Sequence, residues 1–120
     1  MGSWYFIESG GAPSLVLTID NDGKNILKAL KKHGGDNQLW KIVDGILISK
    51  SGLVADVKGG TQDQLIGFSK HGGINQKWKT DGNFIKSQMN DLVMDIAGGT
   101  NPVTLYQRHG GSHQLWYHSL

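Results

Sequence analysis

Three strings constrain this chain more than any other feature: "KHGGDNQLW" ending at Trp40, "KHGGINQKW" ending at Trp78 and "RHGGSHQLW" ending at Trp116. The tryptophans stand 38 residues apart, and then 38 again. A fixed period of this size marks a repeat architecture, in which a unit too small to bury its own apolar face does so against its neighbours. Aligned on the tryptophans, the first unit reads "LVLTIDNDGKNILKALKKHGGDNQLW" from Leu15, and the second "LVADVKGGTQDQLIGFSKHGGINQKW" from Leu53. The third reads "LVMDIAGGTNPVTLYQRHGGSHQLW" from Leu92 and is one residue shorter. An apolar stretch precedes each: "WYFIES", "GILISKS" and "NFIKSQ". The repeat therefore covers nearly all 120 residues, as one domain over 1–120 with repeats at approximately 1–45, 46–82 and 83–120.

Each unit reads as four short strands. In the second they are Ile46–Lys50, Leu53–Val57, Gln64–Ser69 and Gln76–Thr80. Runs this short, rich in Val, Ile and Leu and bounded by Gly, Asn and Asp, favour strands over helices. "NILKALKKH" has helical propensity, but its counterparts "QLIGFSKH" and "VTLYQRH" do not, so it too is read as a strand. Three units of four strands predict an all-β chain of twelve. An open stack would need polar capping segments. Closure into a threefold barrel removes the exposed edges instead. Trp40, Trp78 and Trp116 would then be buried in equivalent surroundings, with each indole N–H paired.

Glycine numbers 18, against about eight for an average chain of this length. Much of the excess lies in pairs, as at Gly34-Gly35, Gly72-Gly73 and Gly110-Gly111, which supply the positive φ of tight turns. With no cysteine, the chain has neither disulfides nor thiolate metal sites. The net charge of +2 is dispersed and gives no concentrated basic face of the kind that binds nucleic acid. No apolar run reaches the ~20 residues of a bilayer span, so membrane insertion is not expected. "MGSWYFIESG" lacks a signal peptide's pattern. The location this implies is cytoplasmic, or outside the cell by an unconventional route.

"NQLW", "NQKW" and "HQLW" resemble the Gln-x-Trp motif of ricin-type β-trefoil lectins. "LVADV" and "LVMDI" resemble the Asp-containing strand that precedes it in that family. The resemblance implies a β-trefoil, with a shallow sugar pocket in each unit. In that pocket an Asp accepts from sugar hydroxyls, an aromatic ring stacks on the pyranose, and an Asn ahead of the Gln-x-Trp adds a hydrogen bond. Carried onto the second unit, these are Asp56, Phe68 and Asn75. On the third they are Asp95, Tyr106 and His113, the last departing from Asn. The first unit holds Thr18, Leu30 and Asn37, a degraded site, although Asp20 on the same side of an extended strand could partly substitute for the missing carboxylate. The residue types suit the chemistry independently. A carboxylate accepts from two hydroxyls at once, and the C–H face of a pyranose needs a flat apolar partner.

Each feature also has a plainer reading. The Gln-x-Trp core recurs in the first unit, where the other site residues are missing, which marks it as scaffold. Asp is disfavoured within strands, so Asp56 and Asp95 are there either to cap a turn or to bind. Phe68 and Tyr106 suit a core position as well as an exposed one. His33, His71 and His109 lack the spacing of metal ligands, with His109 and His113 the single close pair. They are read as loop braces, with His71 and His109 also touching sugar. Gly59-Gly60-Thr61 and Gly98-Gly99-Thr100 lack the phosphate-loop pattern and are placed at the rim of the site.

No catalytic motif is present, and no cofactor is implied. The leading reading is a multivalent lectin with two sites for galactose or N-acetylgalactosamine. Its partners would be glycans of glycoproteins or glycolipids, a homodimer is compatible with the sequence, and two sites would bridge glycans or cells. The alternatives are a trefoil that binds proteins, as protease inhibitors and cytoskeletal binders do, or a carbohydrate-binding module of a larger enzyme or toxin.

Overall fold

The computed structural model describes residues 3–58, 64–96 and 101–120. The two Gly-Gly-Thr loops placed at the site rim lie outside these residues. Among the described residues there are twelve strands: β1 Phe6–Ser9, β2 Leu15–Ile19, β3 Leu27–Lys31, β4 Trp40–Val43, β5 Ile46–Ser49, β6 Val54–Val57, β7 Leu65–Phe68, β8 Trp78–Asp81, β9 Phe84–Ser87, β10 Val93–Ile96, β11 Val103–Tyr106 and β12 Trp116–Ser119. They form three antiparallel four-stranded sheets, ordered β12-β1-β2-β3, β4-β5-β6-β7 and β11-β10-β9-β8. β12 returns to pair with β1, Trp116 opposite Ser9, so the two ends of the chain close on each other. Single bridges Ile26↔Ile66, Lys28↔Pro102 and Gln64↔Thr104 tie the β2–β3, β6–β7 and β10–β11 hairpins together about the pseudo-threefold axis. No helix among the described residues is long and apolar enough to cross a membrane.

Period-two alternation selects what enters the core. Leu17, Ile19, Leu27, Leu47, Val57, Leu65, Ile85, Met94, Ile96 and Leu105 are buried there together with Trp40, Trp78 and Trp116. Each indole N–H donates to a carbonyl of the preceding hairpin: Trp40 to Leu17 O at 2.9 Å, Trp78 to Ala55 O at 3.0 Å, Trp116 to Met94 O at 3.2 Å. A large apolar surface is thus buried with no orphaned donor. Asp44 and Gly45 both have positive φ, at 52° and 80°. They form the two-residue connection between the paired Val43 and Ile46, the turn geometry that matches strand twist.

The structure trims the strands expected in the second repeat by a residue at one or both ends, to Ile46–Ser49, Val54–Val57 and Leu65–Phe68, and moves the start of the fourth further. Gln76 does not begin a strand. It ends a 3₁₀ turn, Ile74–Gln76, and β8 starts at Trp78. Its N–H donates to Gly73 O at 2.9 Å, an i→i+3 bond that the strand reading could not contain. Asp36–Gln38 and Ser112–Gln114 form the same turn in the other repeats. A second threefold device was not read from the sequence. Ser9, Ser49 and Ser87, buried at the ends of β1, β5 and β9, accept backbone N–H bonds from Gly11 and Ala12, from Ser51 and from Met89.

Candidate functional site

The glutamine of each repeat organises the ground beneath the site. Gln76 is fully buried. Its Oε1 accepts from His71 N at 2.8 Å and Gly72 N at 3.3 Å, which fixes the loop. Its Nε2 donates to Ser69 O at 2.9 Å and to Asp56 Oδ2 at 2.8 Å, which fixes the carboxylate. Gln114 repeats the arrangement with His109 N, Gly110 N, Gln107 O and Asp95 Oδ2. In the first repeat Gln38 makes the same loop bonds, and Thr18 Oγ1 stands where the carboxylate would, 3.2 Å from Nε2. The glutamine is therefore scaffold in all three repeats. In two of them it also aims an aspartate.

Each histidine braces its loop. Nδ1 of His33, His71 and His109 accepts the N–H of Gly35, Gly73 and Gly111, each at 3.0 Å. That bond leaves the proton of the neutral ring on Nε2. Nε2 then faces the aspartate, at 3.5 Å from Asp56 Oδ2 and 3.6 Å from Asp95 Oδ2. The glycines permit this close approach: a Cβ on Gly73 would stand 2.8 Å from both His71 Cε1 and Asn75 Oδ1.

The aromatic residues are not core. Phe68 is 49% exposed and Tyr106 58%. Both lie edge-on to the histidine of their own loop, with centroids 6.1 Å apart for Phe68–His71 and 5.9 Å for Tyr106–His109. Asp56, Phe68, His71 and Asn75 line one open cleft of about 300 Å³ together with Lys58 and Ile66. Asp95, Tyr106, His109 and His113 line a second of about 520 Å³ with Thr104 and Ser112. All eight sequence-derived residues thus fall into two clefts, four in each. Ile66 and Thr104 were missed, although strand alternation places them on the same side as Phe68 and Tyr106, two residues on.

The clefts differ where the repeats differ. Asn75 Nδ2 donates to Val57 O at 3.1 Å and to Asp56 Oδ1 at 3.3 Å, so it covers the carboxylate. His113 turns toward the β1–β2 connection instead, where a Cβ on Gly11 would collide with its Cδ2. The Asp95 side chain is left 12% exposed, against 4% for Asp56. In the first repeat Asn37 donates to Ile19 O at 2.8 Å. Asp20 does not supply the oxygen beneath Gln38, a place taken by Thr18. Asp20 is held by Lys28 Nζ at 2.6 Å, a nearby cation that satisfies it first. Among the described residues no group of three or more His, Asp or Glu is placed to hold a metal ion.

Three hairpin-capped repeats closed on a common core, with two open clefts that each bring an aspartate beside a half-exposed aromatic ring, define a β-trefoil. The ricin-type beta-trefoil lectin domain matches residues 3–116, and the chain belongs to that family. No curated protein sequence matches it. Among solved structures, the designed 3-fold symmetric protein ThreeFoil superposes with a TM-score of 0.82 at 21% identity, covering 98% of each chain. The C-half of the earthworm R-type lectin, in complex with GalNAc, gives 0.82 at 20% identity and 98% of each chain. The β-trefoil lectin of the Vibrio vulnificus hemolysin/cytolysin, with N-acetyl-D-lactosamine bound, gives 0.82 at 19% identity, covering 98% of this chain and 94% of that one. At these identities the likeness establishes the fold.

Proposed function

We propose that this chain is a lectin that binds galactose or N-acetylgalactosamine units of glycans through two clefts. Asp56, Phe68, His71 and Asn75 form one, and Asp95, Tyr106, His109 and His113 the other. The observation that carries the reading is the pairing, twice over, of a carboxylate aimed from the floor with a half-exposed aromatic ring beside it. A folding role alone explains neither, because the first repeat keeps the fold with Thr18 and Leu30 at those positions. The carboxylate accepts from two sugar hydroxyls, the ring covers the apolar sugar face, and histidine Nε2–H donates to a hydroxyl oxygen. The family assignment supports the sugar class, as do the earthworm and Vibrio lectins bound to GalNAc and N-acetyl-D-lactosamine.

Shallow sites of this kind bind weakly one at a time, and two on one chain gain by acting together on a multivalent surface. The test is titration with galactose and N-acetylgalactosamine of the wild type, Asp56→Thr, Asp95→Thr and the double variant. Each single variant is expected to lose one cleft and the double variant both. Unchanged binding in the double variant would refute the assignment.

A further inference from the structure

The barrel face beside the third-repeat cleft carries a charge arrangement that comparison between repeats brings out. In the first repeat Lys32 lies over the Phe6 ring, 4.3 Å from its centroid, and bonds Glu8 at 3.1 Å. The Ser119 hydroxyl and Lys32 together hold the Glu8 carboxyl below its ordinary range, so base and acid suit each other there. In the third repeat Arg108 replaces Lys32, and its guanidinium lies 4.0 Å from the centroid of Phe84, the counterpart of Phe6. The counterpart of Glu8 in "FIES" is the third residue of "FIKS", Lys86. An acid has become a base.

The exchange brings cations together. Lys86 stands directly opposite Lys79 across the β8–β9 hairpin, where like charges are destabilising. Neither lysine is in an ion pair among the described residues. The two line one open notch with Ser87, Gln88 and Asp91. One rung further along the same face is the Asp81–Phe84 pair, about 7 Å away at strand spacing. Arg108 lies on that rung and bonds Asp81 at 2.8 Å, with both side chains about half exposed. An exposed pair of this kind is worth little and exchanges partners readily. Arg108 also immediately precedes His109, whose ring lines the cleft with Tyr106 and Asp95. Lys86 is opposite Val93, and Val93 is opposite Tyr106, so two strand spacings, about 10 Å, separate the lysine's backbone from that of the cleft's ring. The second repeat has no counterpart: Ile46 and Ile48 occupy the aromatic and acidic positions.

We propose that Lys79, Lys86 and Arg108 form a subsite for the anionic substituent, a sulfate ester or a carboxylate, of an acidic glycan whose neutral sugar occupies the third-repeat cleft. The subsite rests on the glycan reading above and adds charge selectivity to one cleft of the two. Arg108 and the two ammonium groups offer charge-assisted hydrogen bonds to anionic oxygens.

The experiment is an NMR titration of ¹⁵N-labelled protein with lactose, sulfated lactose, sialylated lactose and inorganic sulfate. The Gly111 amide and Trp116 indole report the third repeat, and the Gly73 amide and Trp78 indole the second. The third-repeat reporters are expected to respond to at least one of the two acidic sugars at about tenfold lower concentration than to lactose, which is what one added charge-assisted hydrogen bond supplies. The second-repeat reporters should show no such gain, and rising salt should erode it. The arm that shows the gain identifies the anion. Lys86→Glu installs the acid that the first repeat already carries at this position. It is expected to cancel the gain and leave lactose binding unchanged. Equal affinity for neutral and acidic sugars, or a gain that survives Lys86→Glu, overturns the subsite alone. Silence toward lactose at both clefts overturns the lectin reading on which it rests. A response to inorganic sulfate as strong as to sulfated lactose overturns the coupling of the subsite to the sugar cleft.

Discussion

Replacing Asp56 by two different residues separates its part in the fold from its part in binding. The carboxylate is nearly buried and accepts from Gln76 Nε2 at 2.8 Å. Asp56→Ala removes that acceptor and leaves one N–H of a fully buried amide unpaired. A hydrogen bond to a charged group is worth about 1.5–3 kcal/mol, and an orphaned buried donor costs about 1–3 kcal/mol. Losing the desolvation cost of the carboxylate offsets part of this, so the net destabilisation should be about 2 kcal/mol. Asp56→Thr reproduces what the first repeat does. Thr18 accepts from Gln38 at 3.2 Å and satisfies its own hydroxyl proton on Val16 O at 2.9 Å. Its cost should stay below about 1 kcal/mol, the worth of a neutral hydrogen bond. Urea unfolding followed by tryptophan fluorescence measures both. With a slope of about 1–3 kcal/mol per molar urea, a difference of about 1 kcal/mol should separate the two midpoints by about 0.3–1 M. Both variants should lose sugar binding at the second-repeat cleft. Equal destabilisation by Ala and Thr would refute the claim that the repeats interchange these acceptors. Retained binding in Asp56→Thr would remove the carboxylate from the site.

Two further substitutions test the aromatic ring and the packing around the core. Phe68→Ala and Tyr106→Ala remove half-exposed rings, so stability should change by no more than about 0.5 kcal/mol, while sugar affinity at the altered cleft falls about tenfold. Unchanged affinity by calorimetry would return both rings to the ordinary surface. Gly67→Ala places a Cβ within 2.7 Å of Ile19 Cδ1 and 2.9 Å of its Cγ2. Overpacking of this kind costs about 1–3 kcal/mol, and a wild-type urea midpoint would show that Ile19 yields freely.

The fold was legible because it is written three times. Strand period, glycine turns and tryptophan spacing agree in every repeat, and the closure expected of them is seen where β12 pairs with β1. The tryptophan hydrogen bonds follow as well, since a buried indole must pair its N–H. The 3₁₀ turn around Gln76 was not legible. Short apolar patterning extends a strand backward until something stops it, and what stops it here is an amide side chain bonded to the loop behind it. The buried serines escaped notice because "S" at a strand end looks like a loop residue until the sheet places it indoors. The ion pair of Asp20 was hidden for a related reason. Sequence gives the side of a strand, but not the lysine that reaches a carboxylate first. In the site, the positions of Asp56, Phe68, His71 and Asn75 could be carried over from a resemblance. The unequal covering of Asp56 and Asp95 accompanies the turn of His113 toward space that Gly11, a hundred residues earlier in the chain, leaves without a side chain.

The glutamine that braces every loop has a consequence for how this molecule can change. It asks only for an oxygen beneath its amide and accepts either a hydroxyl or a carboxylate. Recognition is therefore decoupled from foldability, and a repeat can be silenced or awakened without renegotiating the core. On the two-cleft reading proposed above, the first repeat is an idle socket. Its glutamine, its loop histidine and its asparagine are already seated, and an acid at Thr18 with a ring at Leu30 would be the smallest edit that raises the valency of the whole.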